Sequence, residues 1–213
     1  MDLKVAYFQP VVIAAGPVPP TEFVKIHNLT ELLHSRPELD DGQDPALHTK
    51  GGQYIQVYPN ENVPVDWLIG FLEEMCQGYI DLISTQSVTE DLKYCKPKII
   101  KIWTIKQSAG DYQETHRHIA GHLSGSIYVN SPDFDQGKHT TDGQISFVLP
   151  QPKDITKFVM QDSWKYNPTP GTFVLFPSYI PHTVYPFKGN GTRTVLGFDC
   201  QLVPNEDTLY GQT

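Results

Sequence analysis

Pro168-Thr-Pro-Gly-Thr-Phe-Val-Leu-Phe-Pro-Ser-Tyr-Ile-Pro-His182 is the stretch on which the fold turns. Its centre, residues 171–176, is a short apolar run opened by a proline–glycine pair and closed by Pro177, which reads as a strand. Runs of the same kind, apolar or alternating, occupy residues 99–105, 123–129, 144–149 and 192–203, with Gly, Pro, Asn and Asp in most of the gaps. Ahead of them, residues 65–86 carry one convincing helix. Trp67, Leu68, Phe71, Leu72, Met75, Tyr79, Leu82 and Ile83 recur there at three- and four-residue spacing. Pro64 and Asp66 suit its start, Glu73 falls on the opposite face and Glu74 at the edge of the stripe. One long helix followed by many short strands predicts a mainly β chain with flanking helices, an antiparallel sandwich or jelly roll.

The whole chain agrees with that class. Its 213 residues suit one large β domain, and 39% apolar with 11% aromatic content is ordinary for a packed protein. A net charge of −8, with 16 Lys and Arg scattered along the chain, gives no footprint for a phosphate backbone, so nucleic acid is not the expected partner. The basic stretch at residues 96–106 mixes Lys with Ile and Trp and reads as a half-buried strand. Cys76, Cys95 and Cys200 are widely spaced and suggest neither disulfides nor a thiolate zinc site. No segment reaches the ~20 apolar residues of a membrane helix, and Met1-Asp2-Leu3-Lys4-Val5 does not read as the charged start of a signal peptide. A cytoplasmic location is the expectation. The apolar run at 5–15 and the polar excursion at 38–53 give no functional reading.

The eight histidines are unevenly placed: His116, His118 and His122 fall within seven residues, and His182 directly follows the strand at 171–176. If residues 114–118 are extended, Glu114, His116 and His118 share one face, and two imidazoles there stand close enough to grip one metal. A third ligand must then come from another strand, for which His182 is the natural candidate. A lone histidine reads as a surface or satisfied core residue; this constellation is harder to dismiss. Imidazole suits iron, copper, nickel and zinc, and two His plus a carboxylate mark non-haem iron(II) oxygenases. Arg193, eleven residues after His182 and beyond the turn Lys188-Gly-Asn-Gly-Thr192, offers a planar fork for a carboxylate.

Three blocks carry a resemblance: His116-Arg-His-Ile-Ala-Gly-His-Leu-Ser-Gly-Ser-Ile-Tyr-Val129, the stretch from Pro168 to His182, and Arg193-Thr-Val-Leu-Gly-Phe198. Together they resemble a family of 2-oxoglutarate/Fe(II) oxygenases, over about half the chain. The resemblance implies a double-stranded β-helix, a cupin-like jelly roll, using iron(II), 2-oxoglutarate and O2. It implies a dioxygenase that hydroxylates a C–H bond while 2-oxoglutarate is decarboxylated to succinate. His116 and His182 would be iron ligands, and Arg193 would bind the far carboxylate of 2-oxoglutarate. His118 stands where the wider superfamily has the carboxylate of H-x-D, so the triad is three histidines or draws on Glu114. Val195 stands where many relatives offer a hydroxyl to the cosubstrate; Tyr128, Ser126 and Thr194 are the candidates to supply it, Tyr128 first. Trp103, Phe147, Phe173 and Tyr179 are expected around the site as packing.

Two rivals remain at this point. A metal cupin, a dioxygenase or isomerase without 2-oxoglutarate, fits the first block with His122 in place of its Glu, but fits the second poorly. A non-catalytic jelly-roll binding module is the other. The expected substrate is a small molecule or a protein side chain, and a homodimer is the candidate assembly.

Overall fold

The structure, a computed structural model, describes residues 11–40, 48–60, 63–84, 94–132, 141–148 and 163–205. Residues 5–10 and 41–47, which belong to the apolar run and the polar excursion noted above, lie outside the described residues.

Among the described residues, eleven strands form two antiparallel sheets of a double-stranded β-helix. The larger sheet runs in the order β1 (Ala14–Pro17), β9 (Thr172–Pro177), β6 (Leu123–Asn130), β11 (Arg193–Pro204), β4 (Cys95–Gln107) and β3 (Gln53–Tyr58). The smaller runs β2 (Thr49–Lys50), β5 (Tyr112–His116), β10 (His182–Val184), β7 (Ile145–Val148) and β8 (Ser163–Tyr166). Each of the five runs read from the sequence becomes a strand: β4, β6, β7, β9 and β11. The central strand β11 is buried along residues 193–200 except at Val195, because both of its faces are covered. Leu196, Phe198 and Cys200 face a core shared with two helices, while Val195 packs against Tyr128, Phe147 and Phe176 in a second core.

The helices are α1 (Pro20–His34) and α2 (Asp66–Ser84). α2 packs on β4, and α1 packs on β6 and β3. The buried stripe of α2 is Leu68, Leu72, Cys76, Tyr79 and Ile80, centred about one position beyond the predicted one. Leu68 and Leu72 are fully buried, each burial being worth about 1.5–3 kcal/mol. Trp67 and Leu82 are correspondingly 36% and 45% exposed, and Lys25 lies over the Trp67 ring at 5.5 Å. Glu73 does not face away: its Oε1 accepts the N–H of Ile99 at 3.1 Å, tying helix to sheet. Helix α1 was not anticipated. No described helix is long and apolar enough to cross a membrane.

Candidate metal centre

Strand pairing brings the distant histidines together. His116, the last residue of β5, lies directly opposite His182, the first residue of β10, so their side chains project from neighbouring positions on one sheet. His118 has already left the strand, so the extended stretch ends two residues earlier than predicted. It is held instead by its N–H, which donates to the Ser178 carbonyl at 3.0 Å in the loop ahead of β10. The ring centroids stand 4.3 Å apart for His116 and His182 and 5.3 Å apart for each pair involving His118. One ligand nitrogen from each lies within 4.8 Å of the others.

Each ring is oriented by an oxygen. His116 Nδ1 meets the Glu114 carbonyl at 2.7 Å, His182 Nδ1 the Ile180 carbonyl at 3.1 Å, and His118 Nδ1 the Asp199 carboxylate at 2.8 Å. Those oxygens only accept, so each Nδ1 carries the proton and Nε2 is the metal-binding nitrogen. This is how ligating histidines are usually held. Burial, and then the neighbouring His116 and His118, keeps His182 well below the usual histidine range and therefore neutral, the form that ligates. The donor set fits a divalent transition metal.

Glu114 does not join the cluster. Its side chain is half exposed and meets Lys50 at 3.6 Å. His122 stands apart as well: its Nδ1 accepts the N–H of Leu202 at 3.0 Å, stapling the start of β6 to β11. The cupin-like role for His122 therefore has no counterpart.

A narrow cavity runs between the sheets from the three histidines, past Trp103, Ser126, Tyr128 and Val195, to Gln107 and Arg193. Arg193 is wholly buried; its Nη1 donates to the Gly143 and Tyr185 carbonyls at 2.7 and 3.1 Å, and its Nη2 to Gln107 Oε1 at 2.7 Å. Burial lowers its pKa to about 10, which leaves it a cation at neutral pH. Arg193 Nε, Gln107 Nε2 and Tyr128 Oη have no hydrogen-bond partner among the described residues. Three buried donors on one cavity are a cradle for an anion, because leaving such groups unpaired is costly. Thr194, named as a candidate contact, is not among the cavity residues: alternation turns it to the opposite face of β11 from Arg193 and Val195. Ser126 and Tyr128 do line the cavity.

Beside the histidines lies an open cleft of about 460 Å³, bounded by His48, Tyr54, Lys101, Trp103, Arg117 and Ile119. Trp103 stacks on His118 at 5.5 Å, and Phe147 lies 5.7 Å from His182. Phe173 instead packs on the helix-side core, and Tyr179 is 59% exposed. Sequence reasoning missed Gln107 and Asp199. A signal for Asp199 was present: it is the lone charge in the apolar run from Val195 to Cys200, and it shares strand parity with Arg193.

These features define the class, a double-stranded β-helix with three histidines between its sheets that could hold a metal ion. Residues 101–199 match the family described as "Putative 2OG-Fe(II) oxygenase", a span that holds all three histidines and Arg193. Over that span the chain is similar to the 2OG-Fe(II) oxygenases. Solved structures of the same fold include a prolyl-4-hydroxylase from Pseudomonas putida at 18% identity, covering 90% of this chain and 93% of that one with a TM-score of 0.56. A prolyl hydroxylase from Trichoplax adhaerens, in complex with a hypoxia inducible factor peptide fragment, is 14% identical over 94% and 87% of the two chains, with a TM-score of 0.59. A non-heme alpha-ketoglutarate-dependent carbocyclase from nogalamycin biosynthesis is 10% identical over 96% and 87%, with a TM-score of 0.60. No curated protein matches the chain.

Proposed function

We propose that this chain is an iron(II)- and 2-oxoglutarate-dependent dioxygenase that hydroxylates a C–H bond of a small molecule or a protein side chain. The observation that carries the reading is a single cavity joining three Nδ1-held imidazoles to a wholly buried arginine with an unpartnered Nε. His116, His118 and His182 hold the iron. Arg193 takes the far carboxylate of 2-oxoglutarate, and Tyr128 donates to it as well. With iron, 2-oxoglutarate and O2 bound, the chemistry supplied is oxidative decarboxylation to succinate and CO2, coupled to oxygen insertion into the substrate.

The protein's own part is placement and exclusion. Val195, Ile145 and Phe176 line the cavity beside the histidines and keep it apolar. The cleft beside His116 and His118 is the substrate's approach. A cupin that makes no use of 2-oxoglutarate would leave the buried guanidinium without a ligand to meet. A non-catalytic jelly roll would leave three matched histidine tautomers without a purpose.

The test is an anaerobic titration of metal-free protein with iron(II) and then 2-oxoglutarate, followed in the visible spectrum. A charge-transfer band that requires both is expected. His182→Ala should abolish it, and Arg193→Ala should raise the 2-oxoglutarate concentration needed by at least about tenfold, the weight of a charged hydrogen bond. Iron binding with a spectrum indifferent to 2-oxoglutarate would put the cupin reading ahead.

A further inference from the structure

A triad of two histidines and a carboxylate offsets part of the charge of iron(II) within the ligand set. Three neutral imidazoles do not, and Asp199 stands immediately behind one of them. Asp199 is 5% exposed, and its Oδ1 accepts from His118 Nδ1 at 2.8 Å and from Ser124 Oγ at 2.6 Å. Ser124 and Ser178 are both 1% exposed, with their hydroxyls 2.8 Å apart. Because Ser124 spends its one proton on Asp199, Ser178 donates to Ser124, and the row runs Ser178, Ser124, Asp199, His118. The same Ser178 accepts the His118 N–H through its carbonyl, so the loop carrying the imidazole and the row behind it are fixed together. The pairing of β11 with β4 slips register immediately after Asp199, and such irregularities re-aim side chains beside functional sites.

A buried carboxylate is expensive unless it is hydrogen-bonded and faces a cation. Asp199 has the hydrogen bonds, and the cluster in front of it is where a cation would sit. We propose that Asp199 supplies through His118 the negative charge that the carboxylate of an H-x-D triad supplies directly. It is a positioning residue that fixes the ring with Nε2 toward the metal and strengthens that nitrogen as a donor. The inference rests on His118 being a ligand. It accounts for how a site can exchange a ligating carboxylate for histidine: the charge moves one side chain outward, from position 118 beyond β5 to position 199 on β11.

Asp199→Asn separates charge from shape, since the amide keeps an oxygen that can accept the Nδ1–H. Metal-free full-length protein is titrated anaerobically with cobalt(II) and with iron(II) by calorimetry, and the cobalt spectrum is recorded. Asp199→Asn is expected to weaken both metals by about 10–100-fold and to shift the cobalt bands, with thermal unfolding of the metal-free protein within a few degrees of the parent. Ser124→Ala, which keeps the carboxylate but removes one of its partners, should fall between the two, and it carries the test should Asp199→Asn not fold. Metal affinity within twofold of the parent and an unchanged cobalt spectrum in the folded variant would assign Asp199 a purely structural role and overturn the inference. His118→Ala distinguishes the two levels: if it binds metal as tightly as the parent, the ligand reading fails, whereas loss in His118→Ala without loss in Asp199→Asn sinks only the role of Asp199.

Discussion

Tyr128 shows how one side chain divides its duties. Its ring is 3% exposed and stacks near Tyr166 at 5.9 Å, while its hydroxyl reaches the cavity with no partner among the described residues. Burial pushes its pKa up, so the hydroxyl stays protonated and can only gain by donating to an incoming anion. Tyr128→Phe should therefore weaken 2-oxoglutarate by at least about tenfold, the value of a hydrogen bond to a charged group of about 1.5–3 kcal/mol, leaving the metal affinity intact. Titration of the charge-transfer band reads both quantities. Residue identities of this kind were legible in the sequence where they sit in a spaced motif: His116, His182, Arg193 and Tyr128 meet on one cavity. Gln107 was not, because a glutamine at the end of a strand has no signature until its partner Arg193 is seen opposite it in the ladder. Thr194 differs from these: strand alternation turns its hydroxyl to the face away from the cavity.

Strand β11 acts as a rail, with Arg193, Val195, Gly197 and Asp199 on the face that looks into the site. Gly197 is the gap in that rail. A Cβ there would fall 2.5 Å from the Trp103 ring, which in turn stacks on His118. Gly197→Ala should thus displace the indole and cost about 1–3 kcal/mol by overpacking, seen as a lower unfolding midpoint together with weakened metal binding. On the opposite face, Leu72→Ala empties a fully buried position between α2 and the sheet and should cost about 2–5 kcal/mol with metal affinity unaltered. Elements with strong apolar content were readable, as β4, β6, β9, β11 and α2 show. Those that were not are short or polar. β10 is three residues between Pro181 and Pro186, and β5 reads Tyr-Gln-Glu-Thr-His because it borders the cleft. Helix α1 buries Ile26, Thr30, Leu33 and His34, a face half polar and hence weak as a periodic signal.

Across the molecule, a second buried histidine links the helical layer to the site sheet. His34 Nε2 meets Thr104 Oγ1 at 3.1 Å, and that hydroxyl donates to the Val195 carbonyl at 3.0 Å, within the strand that bears Arg193. Burial first, and the charge of Lys106 second, lower the pKa of His34 below 6.5. The unfolded chain thus binds more protons than the native one just below pH 6.5. Stability is full above that pH and falls as the pH drops toward the folded value, by at most about 1.4 kcal/mol per unit for this one proton. Unfolding midpoints measured at pH 7 and pH 5.5 should draw closer together in His34→Gln than in the parent. The global architecture was readable from the rhythm of strands and turns, whereas the packing of α1 across β3 and β6 depended on contacts between residues far apart in the chain.

The parallel stacking of Trp103 on His118 gives the protein an optical witness of its own. An indole so close to a coordinating ring has its emission coupled to whatever that ring holds, and a paramagnetic ion arriving there would dim it. Trp67, on the solvent side of α2, would go on shining as an internal reference. Occupancy of the centre can then be followed in the purified, unlabelled protein at concentrations far below those that visible absorbance demands.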